Sequence, residues 1–171
     1  LREISPFIKI DVKQEGEDFK LNYKFDRQDN LITESMSAIN TGFGITYVLP
    51  ILVALLSAKK DALILIENPE AHIHPKGQAV LMKLIAKAVH AGIQVVIETH
   101  SDHIVNGSLV AVNQDLINKE ELSLYFFDRD EHKHVAKAHQ LHVEEDGHIH
   151  PAPPMNFFDQ IEIDLRTLAG F

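Results

Sequence analysis

The fold is decided by the stretch Leu63-Ile64-Leu65-Ile66-Glu67-Asn68-Pro69-Glu70, in which an apolar run changes abruptly into acidic and polar residues. The apolar run, residues 62–66, has no polar face, which is typical of a parallel strand covered on both sides. Parallel α/β sheets bind ligands at the carboxyl ends of their strands, where Glu67 is then expected. A strand that merely runs into a polar loop has the same pattern, so this stretch alone does not assign a function.

A helix and a second apolar run follow. Pro75 stands at a favoured first position of a helix, and the apolar residues after it recur at helical spacing until Gly92. Residues 93–97 then predict a second buried strand. Strand, helix and strand in this order predict a crossover unit with parallel strands.

The second strand also ends in polar residues, Glu98-Thr99-His100-Ser101-Asp102. If the two strands are parallel neighbours, Glu67 and His100 face the same crevice, because the carboxyl ends of both strands meet at one edge. A histidine after a strand often caps the next helix. Here Ser101 or Asp102 can provide that cap, which leaves His100 free.

The rest of the chain predicts further elements around this unit. Alternating residues in 8–12 and 19–25 predict a hairpin with a turn at Glu15-Gly16, and residues 122–127 and 135–143 predict antiparallel strands. An apolar helix is expected to end near residue 58, with Pro50 at a kink or near its start. A further helix is expected over residues 103–112 and an amphipathic helix over residues 157–168. We therefore predict one α/β domain over residues 1–171. Its parts are a β-hairpin (1–30), a core (36–112), and C-terminal hairpins with a helix (122–171).

Composition narrows the class of protein. The net charge of −9 disfavours a nucleic-acid-binding surface on this segment, although it leaves such binding open for a longer protein. The absence of cysteine excludes disulfides, thiolate catalysis and cysteine zinc sites. The same absence of cysteine fits a cytoplasmic protein, which we expect. The longest apolar run, residues 47–56, is about half of what a membrane span needs, so we expect no membrane segment. Because the chain starts at Leu1 rather than Met, we expect it to be a piece of something longer.

The run Glu67-Asn68-Pro69-Glu70-Ala71-His72-Ile73-His74-Pro75 resembles the Walker B and D-loop segment of ATP-binding-cassette (ABC) ATPases, particularly the RecF, SMC and OLD-like branch. Within that branch the chain is similar to bacterial predicted ATPases of unknown function whose tail carries Phe-Phe-Asp-Gln, as at residues 157–160. The resemblance runs from about Met36 to the end, with three motifs in the same order and spacing. It implies a partial P-loop NTPase lobe with parallel strands flanked by helices, ATP and Mg²⁺ as cofactors, and an ATP-dependent homodimer.

The resemblance also implies a role for each matched residue. Glu67 takes the place of the Walker B carboxylate that holds the Mg²⁺ shell, and Asn68 occupies the position of the glutamate that positions the attacking water. His74 lies at the position of the D-loop aspartate, and His100 at that of the switch histidine, which contacts the γ-phosphate. The signature, which caps the γ-phosphate bound by the opposite subunit, is matched in place and glycine content by Gly42-Phe43-Gly44-Ile45-Thr46.

The chain departs from the family pattern in two ways. Asn68 can hydrogen-bond a water molecule but cannot accept its proton, and in an extended segment Glu70 would point to the same side and supply the missing carboxylate. No lysine is preceded by Gly or followed by Ser or Thr, so the P-loop is absent. We expect an N-terminal P-loop lobe elsewhere in the same protein to complete the site.

Two other readings remain open at this point. The first is a metal-dependent hydrolase that uses His72, His74, His100 and His103, since imidazoles of this kind suit zinc or iron. A metal-dependent barrel needs at least about 200 residues, and His72 and His74 precede a helix rather than lie on a strand, which disfavours this reading. The second is a non-catalytic dimerisation module, which Asn68 and the missing P-loop favour.

Overall fold

The computed structural model describes residues 1–26, 31–130 and 132–170, and the chain divides into two compact units, Leu1–Gly107 and Ser108–Phe171. The first unit contains β1 (Ile8–Glu15), β2 (Asp18–Phe25), β3 (Met36–Ser37), α1 (Phe43–Ser57), β4 (Leu63–Glu67), α2 (Pro75–His90) and β5 (Gln94–Glu98). Helix α3 (Asp102–Asn113) contains the boundary, and β6 (Leu124–Asp130), β7 (Val135–Leu141) and α4 (Gln160–Ala169) follow. The predicted α/β class, with parallel and antiparallel sheets, is confirmed. The assignment of residues 1–171 to a single domain stays a prediction.

The N-terminal hairpin forms because apolar and polar residues alternate along both strands. β1 and β2 pair antiparallel from Ile8↔Phe25 to Glu15↔Asp18, and the Tyr23 side chain is buried. The turn lies one residue later than predicted, because Glu15 still pairs and Gly16 adopts a φ of +70°. Residues 27–30 of the predicted hairpin segment lie outside the described residues.

The core of the first unit lies between the parallel strands and the helices that follow and precede them. β4 pairs with β5 in parallel, from Leu63↔Gln94 to Glu67↔Glu98, as the crossover prediction requires. Pro50 lies inside α1 and cannot donate to the carbonyl of Thr46, so the helix continues across it without that hydrogen bond. The buried core residues come from α1, β4, α2, α3 and the connecting segments: Val48, Leu52, Leu55, Ile66, Ile73, Leu81, Met82, Ile85, Ala88, Ile93 and Ile104.

The prediction that β4 is covered on both sides is wrong within the described residues. Leu63 and Leu65 are 57% and 70% exposed, and Val96, the partner of Leu65, is 50% exposed. Successive side chains of a strand point to opposite faces, so these three residues share one face of the sheet. The other face packs on the core through Ile64, Ile66, Val95 and Ile97. The described part of this unit therefore covers only one face of an apolar sheet.

The second unit is built on the β6–β7 hairpin. These strands pair antiparallel from Leu124↔Leu141 to Asp130↔Val135, which confirms the predicted pairing. The Asp130 carboxylate accepts the backbone N–H groups of Lys133 and His132, and with Lys137 these contacts hold its pKa below the usual value. Helix α4 begins at Gln160, later than predicted, and buries none of its residues.

No helix among the described residues is long and apolar enough to cross a membrane.

Candidate functional site

Two carboxylates and a histidine lie at the carboxyl edge of the parallel sheet. Glu67 and Glu98 are the last residues of β4 and β5, and they are direct partners in the register. His100 follows two residues later, and its Nε2 lies 3.1 Å from Oε1 of Glu98. The expected juxtaposition of the two strand ends is therefore present. Glu98, which sequence reasoning did not single out, lies between the two predicted site residues.

The segment after β4 is a turn, so the prediction of an extended segment is wrong. The backbone N–H of Asn68 donates to the Glu98 carbonyl over 2.9 Å, which continues the sheet by one residue. Asn68 then adopts a φ of +46°, which asparagine tolerates better than most residues. Ala71 donates back to the Asn68 carbonyl over 3.0 Å and closes the turn. Asn68 and Glu70 consequently do not share a side in the way that an extended strand would impose.

Glu70 links this turn to the segment after β5. One carboxylate oxygen accepts the Thr99 hydroxyl over 2.7 Å, and the other accepts the His100 backbone N–H over 2.9 Å. Both oxygens thus accept a hydrogen bond, and the carboxylate fixes the position of the His100 backbone. Sequence reasoning missed Thr99 because the two partners lie about thirty residues apart and no local pattern relates them.

Replacement of Glu70 by alanine is expected to lower the free energy of unfolding by about 1–3 kcal/mol, because it leaves two donors without their charged acceptor. Chemical denaturation of the purified chain measures this effect. The matched control is Glu70→Gln, which keeps the size of the side chain and one acceptor oxygen and should have a smaller effect. Equal stability of the Glu70→Ala and unsubstituted chains would contradict the contribution assigned to this carboxylate.

A buried polar network holds the start of α3. Ser101 caps the helix, since its hydroxyl accepts from the N–H groups of His103 and Ile104 at 3.1 and 3.4 Å. The same hydroxyl donates to the Gln78 side chain over 2.6 Å, and Gln78 donates to the Ile73 carbonyl over 2.8 Å. The predicted capping role of Ser101 is confirmed, and the His100 ring takes no part in the cap.

A second group of predicted site residues lies at the amino-terminal ends of α1 and α2. A cavity of about 180 Å³ opens there, and no acidic residue occupies the first turn of either helix. Helix amino termini carry partial positive charge and unpaired N–H groups, which suit an anion. The His74 side chain accepts from the Lys76 N–H over 3.4 Å and so caps α2. The cavity is lined by Ile4, Ser5, Thr41, Gly42, Gly44, Ile45, His72, Ile73, His74 and Gly77.

The turn after β4 packs directly on the start of α1. The His72 ring lies 5.6 Å from the Phe43 ring and 5.1 Å from the Tyr47 ring, measured between centroids. The backbone of Gly44 faces the His72 carbonyl, and a Cβ at this position would overlap that oxygen. The two segments predicted as signature and D-loop are thus brought together, and Gly44 is needed for their close approach.

Gly44→Ala is expected to lower the free energy of unfolding by about 1–3 kcal/mol, because the backbone carbonyl of His72 cannot rotate away as a flexible side chain would. Thr46→Ala is the matched control, since Thr46 is exposed in the same helix. Thermal unfolding of the two variants measures the difference. A Gly44→Ala chain as stable as the control would show that α1 can move away from the turn at no cost.

The described residues do not provide the set of metal ligands that the metal-dependent hydrolase hypothesis needs. Within residues 1–26, 31–130 and 132–170, no group of three or more His, Asp or Glu side chains is placed to hold a metal ion. His72 contacts aromatic rings and His74 caps a helix, whereas His100 lies beside Glu98 and His103 lies 3.8 Å from a carboxylate oxygen of Asp102. The four histidines of that hypothesis are therefore divided among different local environments.

Comparison with solved structures identifies the fold. The chain is similar to a structure from work on ATP-driven dimerization and DNA-stimulated activation of SMC ATPases, with a TM-score of 0.62 and 10% sequence identity. The similarity covers 96% of this chain and 85% of that chain. At this identity the likeness shows the fold alone, and that fold is the one found in SMC ATPases. A search of curated proteins gave no match.

Family models identify the chain more closely. Residues 2–105 match the model described as AAA ATPase domain, and residues 117–168 match a model described as protein of unknown function, DUF3696. The first match covers more than half of the 171 residues, so the chain belongs to the AAA ATPase domain family. The coarse prediction of an ATPase-type protein is confirmed. The second match includes the Phe-Phe-Asp-Gln segment at residues 157–160.

Proposed function

We propose that this chain is the C-terminal part of an ATP-binding and ATP-hydrolysing ABC-type ATPase domain. It contributes the signature, the Walker B carboxylate and the switch histidine, and a separate lobe of the same protein contributes the P-loop. The observation that carries this proposal is the parallel β4–β5 edge, where Glu67, Glu98 and His100 lie together at the usual ligand-binding position of an α/β sheet.

Glu67 fits a role toward Mg²⁺ that arrives with the nucleotide. Its side chain is exposed at the end of β4, and within the described residues it belongs to no group of three or more acidic or imidazole side chains placed to hold a metal ion. Mg²⁺ is usually held by one or two carboxylates together with substrate phosphates and water, and it polarises the phosphate oxygens when bound. The residues present therefore fit a nucleotide-borne Mg²⁺ better than a resident transition metal. Asn68 then orients water without accepting its proton, and Glu70 positions the backbone of His100.

The start of α1 fits the signature role. Gly42 caps the helix with a φ of +97°, Gly44 allows the close approach of the neighbouring turn, and Thr46 is exposed in the first turns. These features, together with His74 at the start of α2, make an anion-compatible surface for the γ-phosphate bound by a second copy. The SMC ATPases of the similar structure undergo ATP-driven dimerization, and we propose an ATP-dependent homodimer for the parent protein.

The exposed sheet face supports the proposal that the same protein contains a further lobe. Leu63, Leu65 and Val96 form an apolar strip on a parallel sheet, and parallel sheets are normally covered on both faces. We propose that the P-loop lobe covers this strip. The SMC ATPases of the similar structure show DNA-stimulated activation, and we place any DNA contact of the parent protein on parts other than this acidic segment.

The 171-residue chain alone is expected to bind Mg-ATP more weakly than the micromolar range and to show no turnover, because it has no P-loop lysine. Calorimetric titration measures the binding, and the control is the same chain joined to its P-loop lobe, which should bind and hydrolyse ATP. A micromolar dissociation constant for the chain alone would contradict the proposed division of the site. ATP binding without hydrolysis by the joined protein would favour the dimerisation module instead.

A further inference from the structure

We propose that Glu98 supplies the carboxylate that accepts the proton of the attacking water, an inference that rests on the proposed function. Asn68 stands at the position of the family's water-positioning glutamate, and its amide can hydrogen-bond water but cannot accept a proton. Glu70, the other candidate in the turn after β4, accepts hydrogen bonds from Thr99 and His100 with its two oxygens. Glu70 therefore serves the segment after β5, and the missing carboxylate has to come from another element.

Glu98 lies on the exposed face of the parallel sheet. Alternate residues of β4 and β5 are exposed and share this face: Leu63, Leu65, Glu67, Gln94, Val96 and Glu98. The apolar strip that the P-loop lobe is proposed to cover therefore ends, at the carboxyl edge, in two carboxylates at partner positions. The Glu98 side chain is 52% exposed, which leaves its carboxylate accessible to water and to a nucleotide brought by that lobe.

The neighbours of Glu98 are the two residues proposed to act on either side of the attacked phosphate. Glu67, its register partner, is the proposed Mg²⁺ carboxylate, and His100, whose Nε2 lies 3.1 Å from Glu98 Oε1, is the proposed γ-phosphate contact. Like charges at partner positions of two strands repel, and an ion pair as exposed as that with His100 adds little stability. A second carboxylate beside Glu67 thus weakens the sheet locally, which is typical of a functional constraint.

The proposed step is hydrolysis of the bond between the β- and γ-phosphates. The water oxygen forms a bond to the γ-phosphorus, the bond from that phosphorus to the bridging oxygen breaks, and ADP leaves with the bonding electron pair. The Glu98 carboxylate accepts the proton that the water loses and releases it to solvent afterwards. Asn68 orients the same water through its amide, so two residues share the role of the single glutamate in the family pattern.

Glu98→Gln in the protein joined to its P-loop lobe is expected to lower ATP turnover by about 10²-fold or more, the usual contribution of general acid–base catalysis. Nucleotide affinity should change little, because the amide keeps the size of the side chain. In the proposed homodimer hydrolysis removes the ATP that joins the two copies, so the ATP-bound dimer of this variant should persist longer by a similar factor. Turnover assays, fluorescent-nucleotide titration and sedimentation measure the three quantities. Turnover and dimer lifetime close to those of the unsubstituted protein would overturn the inference.

The Mg²⁺ dependence of turnover separates a proton acceptor from a metal ligand. Glu98→Gln should reach half-maximal turnover at the same Mg²⁺ concentration as the unsubstituted protein, whereas Glu67→Gln should need more. An equal shift in both variants would make Glu98 a metal ligand and overturn the inference. A larger loss of turnover in Glu70→Gln than in Glu98→Gln would also overturn it, by assigning the proton to Glu70. Absence of turnover in the unsubstituted joined protein would overturn the proposed function and this inference with it.

Discussion

Glu67→Gln is expected to lower ATP turnover of the joined protein by roughly 10²-fold or more, while ATP binding stays largely intact. The substitution keeps the size of the side chain and removes the charge that would hold the Mg²⁺ shell in the transition state. In the proposed division of the site, binding of the nucleotide depends mainly on the P-loop lobe, so it should change little. Steady-state turnover and fluorescent-nucleotide titration measure the two quantities separately.

The stability of this variant provides an internal check. Glu67 lies opposite Glu98, so the loss of one charge removes a repulsion and should leave the unfolding midpoint unchanged or slightly raised. Glu17→Gln, at an exposed position in the N-terminal hairpin turn, is the matched control and should retain full turnover. Full turnover in Glu67→Gln would show that this carboxylate is not the Walker B residue.

Thr46→Glu is expected to weaken ATP-driven dimerisation by roughly two orders of magnitude or more. A carboxylate at this exposed position would face the γ-phosphate bound by the second copy, and opposed like charges cost several kcal/mol at an interface. The fold itself should not suffer, because an acidic side chain near a helix amino terminus is favourable. Analytical ultracentrifugation with and without ATP measures the effect.

The matched control is Thr46→Gln, which has nearly the same size without the charge and should dimerise far better. Gly44→Asp would place a carboxylate in the same region, but any side chain at Gly44 overlaps the His72 carbonyl and would confound repulsion with misfolding. Equal dimerisation of Thr46→Glu and Thr46→Gln would contradict the signature assignment.

Local patterns predicted most of the secondary structure. The alternation in β1 and β2, Pro75 at the start of α2 and the apolar runs of β4 and β5 each carry their signal within a few residues. The parallel pairing followed from the length of the helical connection. The exposed face of β4 could not be foreseen, because an apolar run looks the same whether one face or two faces are covered by this chain.

The candidate site was only partly predictable, because local sequence patterns do not show contacts between residues that are distant in the chain. Glu67 and His100 carry a signal because each follows an apolar run, whereas the role of Glu70 depends on hydrogen bonds to residues about thirty positions away. The extended geometry assumed for Asn68 failed because its φ of +46° turns the chain, a backbone state that residue type permits but does not impose. The packing of Gly44 on His72 is likewise a tertiary contact without a local pattern.

Turnover in a mixture of two defective proteins tests the central claim, a site shared between two copies. One protein carries Thr46→Glu, and the other carries a substitution of the P-loop lysine in its N-terminal lobe. Each alone should be inactive, but a heterodimer pairs an intact P-loop with an intact signature and forms one competent site. We expect the mixture to regain a substantial fraction of wild-type turnover with ATP. A mixture as inactive as its separate components, although heterodimers form, would contradict the account.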